Sequence, residues 1–183
     1  MKFGIGLYYG WIYLILFVII NIILMKVYPK HYTKRLFTIP PFTNIIEKIF
    51  SIIYALIFNL TFIMTCFLII NNNKIFFIIG STIYIFSIIC IIFALRIYAF
   101  TDPNKPVTNG IYKISRHPQQ VFSCFMVVGI GISLANTVII ISGIIQLLLL
   151  YPSTVAQEKY CVNKYGIEYE QYLNKTPRYF LFF

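Results

Sequence analysis

The longest stretch of this sequence without a charged side chain runs from His117 to Gln157, with histidine counted as neutral. One helical crossing of a bilayer needs about 20 apolar residues, so this stretch is long enough for two crossings. Polar residues near its middle, Ala135-Asn136-Thr137, predict a turn that divides it into helices at 119–135 and 138 to about 155. The sequence therefore predicts a helical hairpin inside a membrane.

Three more apolar segments precede the hairpin, and charged residues bound them. They predict membrane-spanning helices at 4–25, 49–70 and 75–95, the last one ended by Arg96. Sixty per cent of the residues are hydrophobic and only 11% are charged, a balance that a soluble domain cannot bury. The predicted fold class is all-α: an integral membrane helical bundle of about five transmembrane helices. We treat 1–183 as one membrane domain, with three spans in 1–95 and the loop, hairpin and tail in 96–183.

The formal net charge of +10 comes from 15 Lys and Arg against five Asp and Glu. Because these bases flank apolar segments, they indicate membrane topology and attraction to anionic lipid headgroups, and we expect no nucleic-acid partner. The segments at 26–48, at 96–118 and after 158 are basic, whereas 71–74 has one Lys and 135–137 has none. The positive-inside rule then predicts a multi-pass protein with its N-terminus outside and its C-terminus in the cytoplasm.

The basic segment 26–48 is predicted to be an interfacial loop, because Pro29, Pro40 and Pro41 break any long helix. His31 stands beside two tyrosines, which favours a position among lipid headgroups over a catalytic role. The four cysteines have neither CxxC nor zinc-like spacing, so the sequence supports no disulfide framework and no metal site.

Two polar segments flank the hairpin. The first, 108–118, contains Asn109-Gly110, which predicts a tight turn, and ends in Pro118, which suits the first turn of a helix capped by residues 115–117. The second begins at Gln157-Glu158, and its helical spacing is equally typical of an interfacial helix with tyrosines among headgroups. Because both segments fall on the predicted cytosolic face, we expect them to meet and form the functional site.

The order of these motifs is distinctive. Gly110-Ile-Tyr-x-x-x-Arg-His-Pro118 is followed by the hairpin, by Glu158, by Tyr165-Gly166-x-x-Tyr169-x-x-Tyr172, and by Pro177-Arg178. This order resembles the small membrane methyltransferases related to isoprenylcysteine carboxyl methyltransferases and phospholipid N-methyltransferases. The resemblance covers roughly residues 96–180.

The resemblance implies that S-adenosylmethionine binds on the cytosolic side, between the loop before the hairpin and the segment after it. The implied cofactor-binding residues are Thr108, Tyr112, Arg116, His117, Pro118, Gln120, Gln157 and Glu158. The helix N-terminus near Pro118 offers backbone N–H groups to the cofactor carboxylate. Glu158 is placed to accept hydrogen bonds from the cofactor's amino group or ribose hydroxyls, and Arg116 either pairs with its carboxylate or anchors to phosphates.

Two positions depart from the family pattern. Gln120 stands where the family often has Tyr, and Gln157 stands where it often has an acid. The carboxyl methyltransferases also tend to carry an Arg one helical turn before the glutamate, and this chain has no basic residue there. That difference makes a prenylcysteine-like carboxylate a weaker candidate acceptor than a lipid amine.

The resemblance predicts S-adenosylmethionine-dependent methyl transfer, by in-line attack of a lipophilic nucleophile drawn from the bilayer. Glu158 is the candidate catalytic base, and Tyr112 is a poorer one. One alternative is an NADPH-dependent protein like the sterol reductases, because residues Cys161 to Gly166 also match the tail motif of those proteins. Another is a non-catalytic membrane protein that keeps the fold, which the two glutamines motivate.

Overall fold

The computed structural model describes residues 10–37, 44–70 and 73–180, apart from the side chains of residues 33–35 and 37. This part of the chain is helical and is connected by short turns. In chain order its elements are α1 (Trp11–Val27), α2 (Lys30–Phe37), α3 (Ile45–Cys66), α4 (Lys74–Phe100), a 3-10 helix (Gly110–Lys113), α5 (Pro118–Ser133), α6 (Thr137–Tyr165) and α7 (Ile167–Lys175).

Five of the described helices contain a long apolar segment. Helices α3, α4 and α6 are long enough to cross a bilayer, and α1 and α5 are shorter apolar helices of 17 and 16 residues. This arrangement confirms the predicted all-α membrane bundle, and α5 and α6 form the predicted hairpin. The predicted start of the first span, at residue 4, lies outside the described residues.

Asparagine side chains set where three of the helices begin. Asn44 accepts a hydrogen bond from the N–H of Ile46, Asn73 from Ile75, and Asn136 from Ile139, at 3.0–3.1 Å. Such caps satisfy backbone donors that the first turn leaves unpaired. The predicted span at 49–70 was therefore wrong by four residues at each end. At the start of α3, the cap at Asn44 brings the charged residues 47–48 into the first turn.

The prediction that Arg96 ends the third span was also wrong, because α4 continues to Phe100. Arg96 is exposed, and a long basic side chain on a helix can reach the membrane surface while its backbone stays helical. The helix stops before Asp102-Pro103, where the proline disfavours helical geometry in the residue before it.

Helix α6 runs ten residues beyond its predicted end near 155. It passes through Pro152, which removes one backbone donor, and it ends at Gly166, whose φ of 58° lies in the left-handed region. Membrane helices tolerate internal proline because neighbouring groups satisfy the freed carbonyl. This extension brings Glu158 and Cys161 into the same helix as the hairpin.

The basic segment 26–48 is not a loop throughout. Residues 30–37 form α2, and α3 has already begun at Ile45. Pro29 lies just before α2, where a helix accommodates proline, while Pro40 and Pro41 lie outside the described residues.

Two glycines allow α4 and α5 to pack closely. A Cβ atom added at Gly129 would lie 2.8 Å from the carbonyl oxygen of Gly80 and from the amide nitrogen of Tyr84. Small residues of this kind let the backbones of membrane helices come into contact. The crossing fixes the direction in which α5 leaves the segment that precedes it.

Candidate functional site

The backbone between α4 and α5 is held by the tail that follows α7. Ser115 donates its hydroxyl hydrogen to the carbonyl of Arg178 at 2.9 Å and accepts from the N–H of His117 at 3.2 Å. The N–H of Arg116 donates to the carbonyl of Pro177 at 3.0 Å. The two polar segments predicted to meet are therefore joined by hydrogen bonds along their backbones.

Glu158 is the centre of a buried charge cluster. Arg178 donates to both of its carboxylate oxygens, at 3.0 Å through Nε and 2.6 Å through Nη2. His117 contacts Oε1 through Nε2 at 3.1 Å, and Nε of Arg116 lies 3.3 Å from the same oxygen. The side chains of Arg116, His117 and Glu158 are only 6–7% exposed. One carboxylate therefore neutralises one of two buried guanidinium groups, and the cluster keeps a net positive charge.

The surroundings of His117 fix its protonation. Burial lowers the pKa of His117 below its usual 6.5, even though the carboxylate of Glu158 favours the charged ring. A neutral ring has one N–H, and the neighbouring carboxylate requires that hydrogen on Nε2. By contrast, the hydrogen bonds to Glu158 raise the pKa of Arg178, so its guanidinium group stays charged.

A cavity of about 620 Å³ lies beside this cluster. Its volume falls in the range of about 300–1,000 Å³ typical of small-molecule sites. Six tyrosines line it: Tyr98, Tyr112, Tyr160, Tyr165, Tyr169 and Tyr172. Arg116, His117, Gln119, Gln120 and Gln157 also line it, and so do His31 and Leu36 from α2. The cavity thus combines aromatic rings with polar groups at the N-terminus of α5.

The tyrosine wall is cross-linked by hydrogen bonds. Tyr172 donates its hydroxyl hydrogen to the carbonyl of Tyr112 at 2.6 Å, and Gln119 donates to the Tyr112 hydroxyl at 2.9 Å. Tyr165 donates to the carbonyl of Pro103 at 3.2 Å. Burial raises the pKa of Tyr172 above its usual value, so this phenol remains neutral and does not act as a base near neutral pH.

Two glutamines meet at the cavity wall. Gln120 donates through Nε2 to Oε1 of Gln157 at 3.2 Å. In the described part of the chain the other amide atom of Gln120, Oε1, is buried and has no hydrogen-bond partner. A buried acceptor without a donor costs free energy, so this atom suits a ligand that brings an N–H or O–H group.

The structure brings most of the predicted site residues together. Tyr112, Arg116, His117, Pro118, Gln120 and Gln157 all line the cavity. Glu158 does not line it, because Arg116, His117 and Arg178 surround its carboxylate. Thr108 does not line it either, although its neighbour Val107 does.

Sequence reasoning missed the role of Arg178. The motif contained Pro177-Arg178, but it gave no reason to pair this arginine with Glu158. Arg178 also lies 4.8 Å over the ring of Tyr151, in α6 before Glu158. The α6 sequence has no basic residue one helical turn before Glu158, and the tail brings Arg178 close to that turn. The guanidinium group of Arg178 already pairs with Glu158.

The sequence profile of the phospholipid methyltransferase family matches residues 74–168, just over half of the chain. The chain belongs to the phospholipid methyltransferase family. No individual protein of known function and no solved structure matches the chain. The match agrees with the resemblance drawn from the sequence motifs, and it identifies the protein as a member of a family of membrane methyltransferases.

The phospholipid methyltransferase match runs from the start of α4 to the first residues of α7. It includes the Arg116-His117-Pro118 motif, the hairpin and Glu158. It excludes α1–α3 and the tail, so His31 and Arg178 lie outside it. Both excluded residues nevertheless contact the site, one at the cavity wall and one at the carboxylate.

Proposed function

We propose that this protein transfers a methyl group from S-adenosylmethionine to a lipophilic acceptor in the membrane, and that the acceptor is a lipid amine. The observation that carries the proposal is the buried Glu158 cluster beside a tyrosine-lined cavity, within the region that matches the phospholipid methyltransferase family. The product would be a modified membrane lipid.

The residues of the cavity fit this cofactor. Tyrosine rings attract a positively charged group through their electron-rich faces, as a sulfonium requires. The first turn of α5 has backbone N–H groups with no partner inside the helix, and these suit a carboxylate. The unpaired Oε1 of Gln120 suits a cofactor amino or hydroxyl group.

When bound, S-adenosylmethionine supplies a methyl group on a sulfonium that is already a good leaving group. The chain therefore has mainly to align the reactants and to exclude water from the reacting atoms, and the ammonium headgroup would release its proton to solvent before the free amine attacks. The backbone N–H groups in the first turn of α5 would hold the carboxylate end of the cofactor, next to the net positive charge of the Glu158 cluster, and the tyrosine wall would surround the sulfonium. Glu158 would orient Arg116 and His117 from behind the cavity, so we assign it a positioning role in place of the catalytic base expected from the sequence.

An amine acceptor is favoured over a prenylcysteine-like carboxylate. A carboxylate acceptor needs a free cation beside the reacting group, and Arg116 and Arg178 both pair with Glu158. The family match points in the same direction, because its description names phospholipids.

We also propose the orientation that the charge pattern predicts. The N-terminus would lie outside and the C-terminus in the cytoplasm, which puts the cavity on the side where the cofactor is available. The basic segments on that side would contact anionic lipid headgroups.

The test is incubation of purified protein, in liposomes made from a total lipid extract, with methyl-labelled S-adenosylmethionine. We expect label in the amine-containing lipids. His117→Ala and Glu158→Ala should abolish cofactor binding, whereas Glu170→Ala, an exposed change on α7, should leave it intact. Unchanged binding in both site variants would remove the proposed site.

Two other results would redirect the assignment. Tight binding of NADPH with no binding of S-adenosylmethionine would indicate a reductase. Cofactor binding without any labelled lipid or small lipophilic product would indicate a non-catalytic member of the family.

A further inference from the structure

One wall of the cavity comes from the half of the chain that the family profile does not match. His31 and Leu36, both on α2, line the cavity together with residues that precede and follow the hairpin. The sequence predicted that His31 lies among lipid headgroups, and in the structure it also lies at the wall of the cavity.

Helix α2 is fixed to the end of α4. His31 donates through Nε2 to the carbonyl of Ala99 at 3.1 Å, since a carbonyl oxygen only accepts. Tyr32 is 1% exposed and packs edge-on against Tyr28 and Tyr98 at centroid distances of 5.2 and 6.3 Å. These contacts hold His31 at a defined position on the cavity wall.

The charges around the cavity favour an anion. The described residues that line it include Arg116, Lys164, His31 and His117. No acidic residue is among all the described residues of the lining. Arg116 already pairs with Glu158, and His117 is neutral. Lys164 lies 5.0 Å from the centroid of the Tyr165 ring, and within the described ranges no carboxylate pairs with it. Lys164 and His31 are therefore the lining groups left for an anionic ligand.

The volume and composition of the cavity leave room for two ligand groups. The N-terminus of α5 and the tyrosine wall suit the cofactor, as proposed above. The α2 wall adds an apolar side chain, Leu36, beside the imidazole of His31. An apolar side chain beside a polar ring matches a lipid at the point where its headgroup joins its acyl chains.

We propose that His31 and Lys164 form a subsite for the phosphodiester of the acceptor lipid, which holds its amine toward the cofactor. The proposal rests on the proposed function. With Nε2 of His31 committed to Ala99, Nδ1 is the ring nitrogen left to contact the headgroup, and Lys164 supplies the charge of the subsite. Lys164 provides a charged ammonium with three donors. The subsite selects acceptors that carry a phosphate over lipid amines that lack one.

The experiment compares two acceptors, an aminophospholipid and hexadecylamine, which is a long-chain primary amine without phosphate. Each is presented in liposomes with labelled S-adenosylmethionine to the wild type, His31→Ala and Lys164→Ala. We expect each substitution to raise the KM for the aminophospholipid by about tenfold, the effect of one lost charged hydrogen bond. The KM for hexadecylamine and the Kd for the cofactor should stay unchanged.

Matched controls remove a charge nearby without touching the cavity. Lys30→Ala changes the residue beside His31, and Lys175→Ala changes an exposed residue on α7. Neither should alter any of the three constants. Because Lys164 is on α6 and His31 on α2, an effect that both substitutions share cannot arise from a displaced α2.

Four outcomes would overturn the subsite. An equal rise in KM for both acceptors would show that the two residues do not recognise the phosphate. Unchanged values of all three constants would show the same. A raised Kd for S-adenosylmethionine would assign the anion to the cofactor carboxylate. Binding of a fluorescent aminophospholipid without the methyl donor separates this proposal from the proposed function. Weaker binding in both variants supports the subsite even where no label is transferred, and unchanged binding overturns it.

Discussion

At the residue scale, the cluster around Glu158 depends on a balance of buried charge. Arg116 and Arg178 are both held near one carboxylate, and the side chains of all three are at most 16% exposed. Removing one partner from such a cluster leaves charge that neither water nor protein compensates. The cluster therefore joins the tail to the segment before α5 only as long as Glu158 is ionised.

Glu158→Gln should destabilise the protein by about 3 kcal/mol, because it leaves the buried side chain of Arg116 and the partly exposed side chain of Arg178 without a counter-ion. The measurement is denaturant unfolding in detergent, compared with Glu170→Gln on the exposed face of α7. An E158Q variant no less stable than E170Q would show that the cluster contributes nothing to folding.

The sequence identified Glu158, His117 and Arg116 but could not reveal their arrangement. Arg178 and Glu158 are separated by 20 positions, and they meet only because the chain reverses after Gly166. Motif spacing carries no information about such a reversal. The resemblance implied a contact between Glu158 and the cofactor, but it gave no sign that Arg116, His117 and Arg178 surround the carboxylate.

At the scale of the helices, the contact between α4 and α5 determines where the site begins. Gly80 and Gly129 face each other at the crossing, so any side chain at either position meets backbone atoms. The N-terminus of α5, with its unpaired N–H groups, is positioned by this contact.

Gly80→Leu should force α4 and α5 apart and destabilise the bundle by about 1–3 kcal/mol, the usual cost of overpacking. Ile79→Leu, at an exposed neighbouring position with an isomeric side chain, is the control and should change little. Thermal unfolding of both variants in the same detergent checks the prediction. Equal melting temperatures for the two variants would mean that the crossing is not tightly packed.

Helix existence was predictable from the sequence, but several helix ends were not. Apolar length marked the spans, whereas an asparagine cap moved the start of α3 and a tolerated proline let α6 continue to Tyr165. Both effects depend on local hydrogen bonds, which hydrophobicity does not report. The turn of the hairpin was predicted well because Asn136 is both polar and a cap.

At the scale of the whole molecule, the site is assembled from parts that are distant in the chain. Helix α2 supplies one cavity wall, the segment before α5 and the second half of α6 supply most of the polar groups, and the tail supplies Arg178. The sequence could predict that the segment before α5 and the segment that begins at Gln157 meet, from their shared membrane face. It gave no indication that α2 reaches the cavity, because tertiary contacts with α4, among them the hydrogen bond from His31 to Ala99, bring it there.

A chain ending at Lys175 should keep its transmembrane helices but bind S-adenosylmethionine at least about tenfold more weakly. It loses Arg178 and the backbone bonds that the tail makes with Ser115 and Arg116. Circular dichroism checks the helices, and calorimetry in detergent measures cofactor binding.

Arg178→Lys serves as the intermediate case in that experiment. It keeps a positive charge but loses the two-point contact with the carboxylate, so its affinity should fall between those of the truncated and intact chains. Full affinity in the truncated chain would mean that the tail does not support the site.

The lengths of α4 and α6 have a consequence for how a lipid reaches the protein. At about 1.5 Å per residue their 27 and 29 residues span roughly 40 and 43 Å, against about 30 Å of hydrocarbon. Both helices end on the side of the cavity, so in the proposed orientation the excess length would raise the cavity to the level of the headgroups. Removing a lipid with some 30 methylene groups in its acyl chains from the bilayer would cost on the order of 20 kcal/mol. A cavity at the level of the headgroups avoids that cost. The protein would then act as a surface catalyst, whose rate follows the mole fraction of acceptor in the leaflet instead of its bulk concentration.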